Sequence, residues 1–163
     1  MKTQTLSSIL GLGLIFLFPQ LNASAQLIFE HPHYLHALSD LRAARWMIEH
    51  RPGNWQKTVD EIEAVNRIDK AINEIKKAAI DDGMNLNDHP PVDEHPQHMG
   101  RLHVTVDFLK KAYADVNKED GNIFANGLKN RALDHISESI RLTEKAIHDM
   151  SESIRLTEQA IHN

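Results

Sequence analysis

Apolar residues recur at spacings of three and four through most of the chain, in four runs separated by polar breaks. That is the period of a helix with one buried stripe. Tyr34, Ala37, Leu38, Leu41, Ala44 and Ile48 form the first stripe, closed by Arg51-Pro52-Gly53-Asn54, a turn signal. The second stripe is Ile62, Val65, Ile68, Ile72, Ile75 and Ala79, stopped at Asp81-Asp82-Gly83. Thr58 and Glu61 stand at its head with capping-box spacing; the hydroxyl accepts from the third helical amide while the carboxylate reaches back. Met99, Leu102, Val106, Leu109, Tyr113 and Val116 give the third, a heptad seam. Leu133, Ile136, Ile140, Thr143, Ile147, Met150, Ile154, Thr157 and Ile161 give the fourth. No segment shows the alternation of a strand. The pattern predicts helices over about 33–50, 58–82, 96–119 and 124–163, an all-α, up-down-up-down four-helix bundle with an extended C-terminal helix.

The fourth run contains a duplication. SESIRLTEKAIHD (Ser137 to Asp149) returns as SESIRLTEQAIHN (Ser151 to Asn163), identical at 11 of 13 positions and offset by 14 residues. Fourteen is two heptads, so the repeat lengthens the helix without rotating its apolar face. The last two heptads are expected to overhang the bundle with Ile154 and Ile161 unshielded, and to pair with a second copy of the chain.

The first 25 residues stand apart from this pattern. Lys2, the apolar run Leu6 to Phe18 and Ala23-Ser24-Ala25 read as a signal peptide cleaved before Gln26. The run is shorter than the roughly 20 apolar residues that span a bilayer. The expected product is residues 26–163, one domain, periplasmic or secreted, with no membrane association after cleavage. Of 18 basic residues only Lys2 lies in the leader, so the product carries 17 against 23 acidic residues, a formal charge of −6. No basic block stands out, which argues against nucleic-acid binding. The absence of cysteine excludes disulfides, thiolate catalysis and thiolate metal sites.

Candidate chemistry concentrates in HPPVDEHPQHMGRLH, His89 to His103, which holds four of the 11 histidines. His95, Met99 and His103 fall at i, i+4 and i+8 of the third helix, with His98 on the flank. An up-down-up-down chain would place them at one pole with His31, His33 and His36, beside Asp81, Asp82 and Asp93. Imidazoles suit copper, zinc or nickel, and a thioether favours soft copper. The expected ligands of copper or zinc are therefore His95, Met99 and His103, helped by His98, His31 and His33. The competing expectation is solvated or capping histidines and a core methionine, in a purely structural or oligomerising bundle.

Enzymatic signatures are missing. HExxH, GxSxG, Walker and GxGxxG motifs do not occur. Di-iron bundles use Glu-x-x-His on each of two helices, which the chain does not supply. Asp107 and Asp134 read as flank residues, and Glu144–His148 and Glu158–His162 as surface pairs. The expected function is a non-enzymatic binding or interaction module.

YLHALSDLRAARWMIEHRPG, AAIDDGMNLNDHPPVDEH and GRLH resemble a group of uncharacterised exported bacterial proteins with helical-bundle sequences. The resemblance covers most of the chain outside the last repeat and implies an exported helical bundle without specifying chemistry. The layout also resembles, in architecture, the periplasmic four-helix b-type cytochromes, which bind haem through a methionine on helix 1 and a histidine on helix 4. Met47 is misplaced for that ligand, and His148 and His162 are expected to point outward.

Overall fold

A computed structural model describes residues 31–50, 55–78, 84–92, 97–119 and 123–162. It contains α1 (Pro32–Glu49), α2 (Val59–Ala78), α3 (His98–Lys118) and α4 (Ile123–Ile161), and no strand among the described residues. The chain is an all-α four-helix bundle with a long C-terminal helix. Expected and observed bounds agree closely over the described residues; 79–82, 96 and 163 lie outside them. Pro32 sits in the first turn of α1, where its missing N–H costs nothing. The capping box forms: the Thr58 amide donates to Glu61 Oε2 at 2.6 Å and the Glu61 amide to Thr58 Oγ1 at 3.2 Å. Asp60 and Glu61 in the first turn of α2 and Lys76 and Lys77 in its last complement the helix dipole.

The stripes pack as read, with local exceptions. Leu38, Leu41, Ile48, Ile68, Ile72, Ile75, Leu102, Leu109 and Ile136 are fully buried. Ile62 and Tyr113, expected in the seams, are 48% and 37% exposed, while Ala64, Ala71 and Ala112 are buried. Small residues at these contacts let the helix backbones approach closely.

The order of directions differs from up-down-up-down. α1 packs on α2 and α3, and α4 on α2 and α3, leaving α1 opposite α4 and α2 opposite α3 on the diagonals. Ion pairs fix the directions. His31 at the start of α1 meets Glu119 after the end of α3, and Arg131 near the start of α4 meets Glu74 near the end of α2. At the other end, His98 at the start of α3 meets Glu61 at the start of α2. α2 and α3 therefore run parallel, and the connection between them returns along the bundle instead of turning at one pole. Its described part runs down the flank of α1: Lys76 Nζ donates to the Met84 carbonyl at 2.8 Å, Arg45 Nη1 to Asn87 Oδ1 at 3.2 Å, and the His89 ring lies 4.8 Å from that of Trp46. His89-Pro90-Pro91 favours extended backbone, and 18 to 20 extended residues reach on the order of 60 Å. That is about twice the length of α2. One long crossover is a known way to build such a bundle.

A titrating group sits on the α2–α4 flank. Burial pushes His135 below the usual histidine value, and the Arg67 and Lys70 charges add to this against Glu74 and Asp134. The unfolded chain therefore binds this proton more readily than the folded one. Stability from His135 is complete above about pH 6.5 and declines as pH falls toward the lower folded value. His135→Gln should shrink the loss of urea midpoint between pH 7 and pH 5. An unchanged loss would refute this assignment.

Candidate functional site

The antiparallel hairpins divide the histidines between two ends. At the end where α1 begins, His31 Nδ1 lies 3.0 Å from Glu119 Oε1, and the His33 amide donates to Glu119 Oε2 at 3.1 Å. His33 Nδ1 lies 3.8 Å from Asp115. Glu119, 5% exposed, thus supplies the acceptor that the His31 N-cap side chain does not. A negative charge also suits the positive end of α1. Beneath it the fully buried Tyr34 hydroxyl has no hydrogen-bond partner among the described residues. Burial, then the Glu119 charge, pushes that hydroxyl above its ordinary range. Asp40 on the same helix is also raised, by burial first and by Asp115, against Lys111 and His36.

At the opposite end, His98 Nε2 lies 2.9 Å from Glu61 Oε1, a side-chain contact across the diagonal between α2 and α3. The Glu61 side chain is fully buried and that of His98 is 9% exposed. Trp55 stacks on His98 at 5.7 Å and is itself 64% exposed. Trp55, His98, Met150 and Ile154 line a cleft of about 380 Å3 where α4 leaves the bundle. Beside it Arg101 is buried, donates from Nε to the Met47 carbonyl at 3.2 Å and lies 5.1 Å from the Trp46 ring centre.

The expected single histidine pole is therefore not formed. His31 and His33 lie at one end and His98, Met99 and His103 at the other, because α3 runs in the sense opposite to that expected. His95 and Asp93 lie outside the described residues, as do Asp81 and Asp82. Met99 and His103 do face one way, toward α4. Met99 Sδ is 3.9 Å from Ser151 Oγ, and His103 lines a groove of about 480 Å3 with Asp107, Glu144 and His148. As placed, no three His, Asp or Glu side chains among the described residues converge closely enough to hold a metal ion. His31 and His98 each lie within hydrogen-bond distance of a carboxylate, whereas His103 and His148 are neither hydrogen-bonded nor ion-paired among the described residues.

No family model, curated protein or solved structure matches the chain. The haem ligands suggested by architecture do not fit these residues: Met47 is buried in the core on α1, and His148 is exposed on α4, the helix diagonal to it. No described helix is long and apolar enough to cross a membrane.

Five residues escaped the sequence reading in the roles the structure gives them. Glu61 shows as a cap, but its partnership with His98 depends on the direction of α3. Trp55 precedes α2 and belongs to no stripe. Asp107 and Glu144–His148 carry helical spacing that was legible, but their shared groove depends on the register of α3 against α4.

Proposed function

We propose that the chain is an exported, non-enzymatic interaction module that associates with a second copy of itself through the projecting end of α4. One observation carries this reading: the same sequence stands buried in its first copy and bare in its second. Ser139 and Thr143 are fully buried, and Leu142 and Ala146 nearly so. Their counterparts Ser153, Thr157, Leu156 and Ala160 are exposed, as are Ile154 and Ile161 at 49% and 74%. One local ion pair recurs in both copies, Arg141 on Glu138 and Arg155 on Glu152. What the second copy lacks is a partner surface. Met99 at the start of α3 lies level with Ser151, so the end of α4 from Glu152 to Ile161 runs about 15 Å past α3.

The two positions that differ between the copies also support the assignment. Lys145 pairs with Asp60 of α2 and, at 3.2 Å, with Asp149. Their counterparts Gln159 and Asn163 are uncharged, so the first copy is the one matched to the chain's own α2. The paired histidines read as clasps between helices, which supports a binding role over catalysis.

An overhang of some three turns buries too little surface for a permanent dimer, and interfaces below about 1,200 Å2 are commonly weak. Light scattering should show a mass that rises with concentration in the micromolar range. Removing Ser151–Asn163 should leave a monomer with an unchanged unfolding midpoint. Equal masses for the two forms at every concentration would overturn the reading.

A further inference from the structure

We propose that the groove between α3 and α4 is a divalent transition-metal site of the zinc class, formed by His103 and Asp107 on α3 and Glu144 and His148 on α4. The inference is independent of self-association, because it uses the first copy of the repeat and not the overhang.

The register places the four together. α3 and α4 are antiparallel neighbours, with Met99 level with Ser151 and Lys110 beside Glu144 at 3.0 Å. Stepping along α3 between those two contacts brings His103 level with His148, and Asp107 level with Glu144. Each pair on one helix is spaced i,i+4, so its members share a face one turn apart. The corners of this rectangle are thus two imidazoles at one end and two carboxylates at the other. All four side chains are exposed and line the same groove, whose floor includes Val106 and Ile147. Being exposed, they can turn inward without repacking the core.

The donor set selects the ion class. Two neutral imidazole nitrogens and two carboxylate oxygens suit tetrahedral zinc, and imidazoles also accept copper or nickel. A thioether site for copper(I) fits less well, since Met99 lies a turn further along and is half-buried. As placed, the four do not converge on one point. Lys110 Nζ already holds Glu144 Oε1, so an ammonium stands where a metal ion would carry the positive charge. Metal entry then means release of Glu144 from Lys110 and rotation of the two rings into the groove.

The chain supplies its own control. The Glu-x-x-x-His pair of the first repeat recurs as Glu158 and His162, on the overhang, with no α3 residues across from it. Among the described residues only the first pair faces a complementary pair.

Calorimetric titration of the purified protein with zinc chloride tests this. Saturable binding of one ion per chain is expected, weakened at least tenfold in His103→Ala and in His148→Ala, and unchanged in His162→Ala. Both ligand variants should keep the wild-type far-ultraviolet circular dichroism. No saturable uptake at micromolar zinc would overturn the proposal. So would wild-type affinity in both ligand variants, or an equal loss in His162→Ala.

Discussion

Glu61→Ala is expected to cost about 3 kcal/mol, most of it from outside the helix that carries the residue. The carboxylate has two tasks. Oε2 accepts the Thr58 amide at 2.6 Å, the reciprocal half of the capping box. Loss of a cap costs typically about 1 kcal/mol. Oε1 lies 2.9 Å from His98 Nε2, with both side chains almost wholly out of water. Removing one member of a buried polar contact leaves the other to bear its desolvation, roughly 1–3 kcal/mol and more where it is charged. Two controls separate the tasks. Thr58→Ala should cost only about 1 kcal/mol, because it touches the cap alone. Glu61→Gln should sit in between, since glutamine also closes a capping box but carries no charge. Urea midpoints at constant slope give the comparison. A Glu61→Ala loss no larger than that of Thr58→Ala would mean that the His98 contact adds nothing.

Why half of this was visible beforehand, and half was not, follows from what periodicity encodes. Spacing of three and four says which residues share a face, and is blind to the direction in which the helix runs. The stripe Met99, Leu102, Val106, Leu109 and Val116 packs equally well read upward or downward. Helix number, bounds, the Thr58–Glu61 cap and the bare end of α4 are local or additive properties, and they stood in the sequence. The direction of α3 rests on whether residues 79–97 turn at one end or return along α1, and polar, proline-bearing composition suits both. The Trp46–His89 and Arg45–Asn87 contacts show what holds the return path. Neither pair has a sequence spacing that announces it. The misassigned Ile62 and Tyr113 have a smaller cause. A strict heptad drifts about 20° per repeat from a straight helix, so residues at the stripe edge slide outward and Ala64 and Ala112 take the contact.

The site followed the topology. With α3 reversed, His98 meets Glu61 and not His31, and Met99 and His103 turn toward α4. The residue types proposed as ligands stayed as read, but their neighbours changed. His103 therefore gains Asp107, Glu144 and His148 as companions in one groove and loses the α1 histidines.

Arg101→Ala is expected to cost about 4 kcal/mol, although the residue belongs to no apolar stripe. The side chain is 2% exposed and donates from Nε to the Met47 carbonyl, one of the last four carbonyls of α1, which have no partner within their own helix. A guanidinium there also meets the negative end of the α1 dipole. Its 5.1 Å approach to Trp46 adds a cation–π contact worth roughly 0.5–2 kcal/mol. Burying the cation offsets part of this gain, so the total is held below the sum of the parts. Arg101→Met separates charge from packing. It keeps most of the buried stem and should cost about 2 kcal/mol, chiefly the stranded carbonyl. The effect should also travel. Trp46 stacks His50 at 4.8 Å and holds His89 of the crossover, so a loosened indole frees the described segment 84–92 from α1. Limited proteolysis should then cut within that segment at a protease level that leaves the wild type whole, with cleavage faster in Arg101→Ala than in Arg101→Met. Equal stability of the alanine and methionine variants would assign the whole effect to charge. Wild-type stability in both would show that the Met47 carbonyl is satisfied without Arg101.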